Sequence, residues 1–141
     1  MSAASDHIFV YGTLRKAIRP DVHARYLGDR AEYVGSGTVA GDLWRVSWYP
    51  AMTKGDSRVF GEVYRLLESG AWVGLDEFEA CDLAQPGTSE YTREVVPVGL
   101  EGGAHISAWC YFYLGKTNSL TKIATGDFAD CDCRDEHDGR E

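Results

Sequence analysis

Two short segments carry the residue types that acid–base chemistry on a small polar molecule needs. The first is Tyr11-Gly12-Thr13-Leu14-Arg15, directly after the apolar run Ile8-Phe9-Val10. A buried strand that runs into a glycine-containing turn leaves successive backbone N–H groups outside any ladder, free to hold a small anion or a carbonyl oxygen. The second is Leu75-Asp76-Glu77-Phe78-Glu79, which can supply a buried carboxylate. Amide donors plus one carboxylate form a minimal set for proton transfer and charge stabilisation. The turn alone is equally compatible with a tight strand exit and nothing more.

The helical period selects among the acids. Glu68 to Cys81 is the segment best suited to a helix. With Leu75 at zero and about 100° per residue, Ala71, Trp72 and Phe78 fall within about 60° of it, forming one apolar stripe. Glu79 falls at about 40°, inside that stripe, and Glu77 at about 200°, on the opposite face. Asp76 lies at the stripe's edge. Glu77 is therefore expected in solvent and Glu79 toward the interior. Burying a carboxylate without partners costs several kcal/mol or raises its pKa, and a raised pKa suits a general base. The alternative is that Glu79 ends a frayed helix and meets water or a surface arginine.

Other candidates are weaker. Tyr91, Tyr111 and Tyr113 suit walls or core positions, with Tyr91 and Tyr111 as candidates for a substrate-binding wall. Arg93 suits surface pairing, or neutralising a carboxylate. His7, His23, His105 and His137 show no metal-ligand spacing. Cys131-Asp132-Cys133 with His137 lacks a second ligand pair, so no metal site is expected. A Ser-His-Asp set and a Gly-x-Ser-x-Gly turn are both missing from the sequence.

These residues need elements to position them. Residues 7–11 suit a central strand, apolar on both faces. Residues 21–28 suit a short helix with Asp21 as N-cap after Pro20. Residues 32–48 alternate aromatic and β-branched types with Gly35, Gly37 and Gly41, as strands that bend at glycines in a small barrel. Lys54-Gly55-Asp56-Ser57 suits a turn and 58–66 a strand. Residues 91–98 and 105–114 suit strands, 82–90 a loop, and 119–128 a last helical turn.

Composition sets the bounds. The chain has 141 residues, enough for one core, with 12% aromatics and 16 glycines. That pairing favours a β-rich fold with many turns over a helical bundle. Residues 1–6 and the acidic tail 129–141 are expected to be flexible ends on a domain spanning 7–128. A net charge of −8 argues against nucleic acid and anionic membrane surfaces as partners. The segment Asp127 to Glu141 supplies seven acids against two arginines, so the remaining domain is only mildly acidic. A basic-then-apolar leader is missing at the N-terminus, and no apolar run nears the roughly 20 residues of a membrane helix. A cytoplasmic location follows by default. Cys110, in an alternating apolar run, is expected as a buried free thiol.

Taken in order, these segments resemble the γ-glutamylcyclotransferase-like superfamily, closest to its small bacterial-type and γ-glutamylamine cyclotransferase branches. Phe9-Val10-Tyr11-Gly12-Thr13-Leu14-Arg15 is similar to the family's Tyr-Gly-(Ser/Thr)-Leu loop. Gly41-Asp42-Leu43-Trp44 and Trp48-Tyr49-Pro50-Ala51 resemble the strand and Tyr-Pro-Ala segment that follow it. Gly61-Glu62-Val63-Tyr64, Leu75 to Glu79 and Tyr91-Thr92-Arg93 continue the match. Trp109-Cys110-Tyr111 follows, and Gly126-Asp127-Phe128 stands where the family often has Gly-Asp-Trp. Ala80 replaces a glycine common after the family's catalytic glutamate.

The resemblance implies an α+β fold, a mixed β-barrel of about six strands flanked by short helices. It implies that Glu79 is the catalytic base and that Tyr11, Gly12, Thr13 and Leu14 bind the substrate's γ-glutamyl portion. The implied reaction releases 5-oxoproline from a γ-glutamyl amine or amino acid, with no cofactor. A different class stays open: a non-catalytic module that uses the same pocket to bind a small ligand. A third reading is an interaction domain that works through its acidic tail.

Overall fold

Strands rich in β-branched and aromatic residues bury one face best by curling around a shared interior. The computed structural model describes residues 7–12, 14–15, 20–46, 50–68, 70–78 and 90–128, without the side chains of Val73, Glu77 and Phe78. In chain order the elements are β1 (His7–Val10), α1 (Pro20–Tyr26), a 3₁₀ turn (Gly28–Arg30), β2 (Ala31–Arg45) and β3 (Pro50–Leu66). Then come α2 (Ala71–Phe78), β4 (Tyr91–Leu100), β5 (His105–Tyr113) and β6 (Thr121–Lys122).

β1 lies between β3, which it pairs antiparallel, and β5, which it pairs parallel. β5 continues to β4, β4 to β2, and β2 pairs back with β3. Among the described residues, five strands thus close a mixed barrel, and β6 adds to the outer edge of β2. This is the small mixed barrel with short helices that the resemblance implies.

Alternation along each strand separates two cores. Phe9, Val39, Leu43, Met52, Val59, Val63, Val98, Cys110 and Phe112 fill the barrel together with Phe128. Ile8, Val10, Tyr64, Leu66 and Tyr111 face outward and pack against Leu27, Ala71 and Leu75 of the helical layer. β1 is therefore covered on both sides, as its unbroken apolar run predicts. Cys110 is the expected buried free thiol, with its Sγ 3.6 Å from Met52 Sδ.

Four local expectations change. Residues 54–57 do not end a strand. Ala40 pairs with Arg58 and Asp42 with Thr53, so Lys54 to Ser57 bulge out of a continuous β3 opposite Gly41. The turn-forming residues are accommodated inside the ladder as an enlarged bulge. β2 likewise runs unbroken, with register shifts beside Gly35 and Gly41. Pro20 opens α1, which places Asp21 in the first turn rather than at the cap, consistent with proline's preference for the first helical position. Finally, Thr121 and Lys122 pair with Arg45 and Trp44 as a strand, where a helical turn is predicted. The described part of α2 starts at Ala71, with the Ala71 N–H on the Glu68 carbonyl at 3.3 Å. Residues 82–89 of the loop expected at 82–90, the segment 47–49, both termini and three cysteines (Cys81, Cys131, Cys133) lie outside the described residues.

The chain leaves β6 through a strap that returns to the barrel. The Gly126 carbonyl accepts the Phe60 N–H at 2.8 Å, and Gly126 has φ +74°. A Cβ there would meet the Arg58 carbonyl oxygen. Gly126→Ala combines a disfavoured backbone with that clash and should cost about 2 kcal/mol or more in urea unfolding.

Candidate functional site

The turn after β1 is held from several sides. Tyr11 is buried, and its hydroxyl donates to the Tyr111 carbonyl at 2.7 Å. Gly12 lies against Pro50 so closely that a Cβ would come within 2.8 Å of the proline ring. Any larger residue would push the turn off the first residue of β3. The Gly12 carbonyl accepts the Arg15 N–H at 3.0 Å, which closes the turn. Leu14 is buried, and its carbonyl lies 3.0 Å from His23 Nδ1. A carbonyl only accepts, so the imidazole donates from Nδ1 in this contact. Thr13 lies outside the described residues.

The two tyrosines predicted as wall residues close this patch. The Tyr91 hydroxyl donates to the Pro50 carbonyl at 2.8 Å. The Tyr111 hydroxyl donates to Asp76 Oδ1 at 2.6 Å. Tyr11, Gly12, Tyr91 and Tyr111 are thus linked through Pro50 and the β5 backbone at one end of the barrel, where β1 and β5 end and β4 begins. Glu79, the residue favoured as base, lies outside the described residues, as does the side chain of Glu77.

Of the two readings of Arg93, the structure takes the second, neutralising a carboxylate. Its guanidinium grips Asp76 with two bonds, Nε to Oδ1 at 2.7 Å and Nη2 to Oδ2 at 3.1 Å. It also stacks on Trp72 at 4.3 Å and Trp109 at 4.8 Å from the ring centroids. Arg93 opposes Tyr111 in the β4–β5 ladder, so both point the same way and meet one carboxylate of α2. The alternation of Tyr91 and Arg93 is the sequence signal for a shared face. What covers that face is set by a helix from elsewhere in the chain, which the alternation does not reveal.

Tyr64 sits near the turn, with its ring 5.1 Å from that of His23. Burial, and then its hydrogen bond to Glu62 Oε1 at 2.8 Å, raise its phenol well above the ordinary value. Tyr33 and Glu62 add to this electrostatically, while Arg15 opposes it. The folded state therefore favours the neutral phenol. That contribution is complete below the unfolded pKa of about 10 and is lost as pH climbs through the higher folded value. Tyr64→Phe should flatten the fall of the melting temperature above about pH 10, as scanning calorimetry from about pH 9 to 12 would show.

Comparison with known proteins agrees with this architecture. A solved structure of an uncharacterized Pyrococcus horikoshii protein superposes with a TM-score of 0.62 at 25% identity, covering 96% of this chain and 98% of that one. The solution structure of YtfP from Escherichia coli gives 0.61 at 28% identity, covering 88% and 96%. A mouse AIG2-like protein shares the fold, with a TM-score of 0.64 at 22% identity over 84% of this chain and 86% of its own. The class is thus a small closed barrel of the kind these proteins share.

The chain belongs to the gamma-glutamyl cyclotransferase, AIG2-like family, whose model matches residues 8–130. In sequence, the E. coli K12 γ-glutamylcyclotransferase family protein YtfP is 29% identical over 128 residues, 89% of this chain and 97% of that protein. Membership supports γ-glutamylcyclotransferase-like activity on a small γ-glutamyl compound. Among the described residues no helix is long and apolar enough to cross a membrane.

Proposed function

We propose that the protein releases 5-oxoproline from a γ-glutamyl amine or γ-glutamyl amino acid. The substrate carries its own nucleophile. Its α-amine, once neutral, attacks the γ-carbonyl carbon and forms the ring C–N bond. The bond from that carbon to the leaving nitrogen then breaks. Glu79 takes one proton from the α-ammonium and delivers it to the leaving nitrogen. The second proton, shed by the ring nitrogen once the new C–N bond has formed, ends on the departed amine as its ammonium, so protons balance without a cofactor. Main-chain amides from Gly12 to Leu14 hold the substrate's α-carboxylate or the developing oxyanion. Tyr91 and Tyr111 serve as wall residues that shape the folded substrate, and ring closure gains from that orientation.

The observation that supports this reading most is the turn after β1. In a member of this family, Gly12 sits on Pro50 and Leu14 is tied to His23, so the turn is already organised before a ligand arrives. Preorganised amides need no rearrangement when charge develops. The test is 5-oxoproline release from a panel of γ-glutamyl amines, γ-glutamyl amino acids and glutathione-like peptides. Product from at least one class is the expected result. Thermal stabilisation by those compounds without product would instead identify a binding module.

A further inference from the structure

Two motifs 112 positions apart meet in space. Arg15 closes the substrate-loop motif, and Asp127 lies in Gly126-Asp127-Phe128 near the end of the described chain. Arg15 Nη1 donates to Asp127 Oδ1 at 2.8 Å. Its Nε lies 3.5 Å from Glu62 Oε2 on β3, an ion-pair approach without hydrogen-bond geometry. The Arg15 and Glu62 side chains are only 12% and 13% exposed, so this is no solvated surface pair. Glu62 is in turn held by the Tyr64 hydroxyl.

The strap that carries Asp127 is itself anchored. The Phe60 N–H binds the Gly126 carbonyl, and the Phe128 ring is wholly buried in the barrel. Asp127 N–H also meets Thr125 Oγ1 at 3.3 Å. Arg15 therefore joins the turn to two fixed points, one on β3 and one on the returning strap. Its own N–H closes the turn on Gly12. A guanidinium held at both carboxylates restricts the residue whose backbone sets the orientation of the preceding amides.

We infer that Arg15 is a positioning residue, and that its clasp on Asp127 and Glu62 holds the Gly12 and Leu14 amides in a substrate-ready geometry. It takes no part in proton transfer. This rests on the reading that those amides hold the γ-glutamyl portion. It also gives Asp127 a role: the end of the domain secures the site formed near its beginning.

The test uses the full chain with Arg15→Gln, Arg15→Lys and Asp127→Asn. ¹⁵N relaxation at Gly12, Leu14 and Arg15 reads the clasp without any substrate. In wild type these amides should show order parameters near ~0.85, falling below ~0.6 in Arg15→Gln and Asp127→Asn. Val63 and Val98, in the barrel core, should not change. kcat/KM for 5-oxoproline release should fall about tenfold or more in both variants, with Arg15→Lys recovering part of the loss.

Unchanged order at the turn, or equal loosening of turn and core, would overturn the clasp. So would full activity in the Asp127→Asn variant. If wild type releases no 5-oxoproline, the functional reading fails, while the relaxation measurement still decides whether Arg15 orders the turn.

Discussion

Glu79→Gln should reduce 5-oxoproline release by about 100- to 10,000-fold, the usual contribution of a general base, while the melting temperature stays within a few degrees. Glutamine keeps the shape and the hydrogen-bonding reach of glutamate but cannot hold the proton. Two arguments favour Glu79 over the described acids at this end of the barrel. The helical period sets it on the stripe shared by Ala71 and Leu75, both buried in the structure. Three described acids nearby already serve other groups: Asp76 is held by Arg93 and Tyr111, and Glu62 and Asp127 flank Arg15. Glu77→Gln, on the opposite side of the wheel, should leave turnover within about twofold, since changes away from a site have small effects. Near-normal turnover in Glu79→Gln, or an equal loss in Glu77→Gln, would remove the assignment.

What the sequence discloses depends on the range of the interaction. Ile8-Phe9-Val10 is legible as a central strand because both faces are apolar, and both are covered. β4 and β5 are legible because β-branched and aromatic types recur along them. The phase of α2 is legible from Ala71 and Leu75. Short or irregular pieces are not. Thr121 and Lys122 form a two-residue strand, too brief to show any period. Lys54 to Ser57 have turn chemistry but sit inside a ladder whose flanking pairs hold them. At the site, Tyr11 and Gly12 announce themselves through a glycine following a buried strand. The clasp between Arg15 and Asp127 does not, because no local pattern couples residues so far apart. Arg93 stands between these cases: its face is readable, its partner is not.

That partner makes the second large effect. Asp76 and Arg93 are 22% and 13% exposed, sealed between two tryptophans and the Tyr111 hydroxyl. For a pair this sheltered, removing one member leaves a charge without compensation, which costs more than the pair itself contributes. Arg93→Met keeps much of the stem packing but strips Asp76 of its cation. It should destabilise the protein by about 2–4 kcal/mol in urea unfolding. Adding Asp76→Asn to that variant should restore about 1–2 kcal/mol, because the orphaned charge goes with it. Trp72 and Trp109 lose a stacked cation in both variants, so tryptophan emission should shift in each. α2 carries Asp76 two residues before its last described position, so a looser helix should also slow the proposed reaction at Glu79. Single variants that cost under about 0.5 kcal/mol and add independently would mark an exposed ion pair instead. In that case α2 would owe its seat to Ala71 and Leu75 alone, and Arg93 would have no part in holding the helix that leads to Glu79.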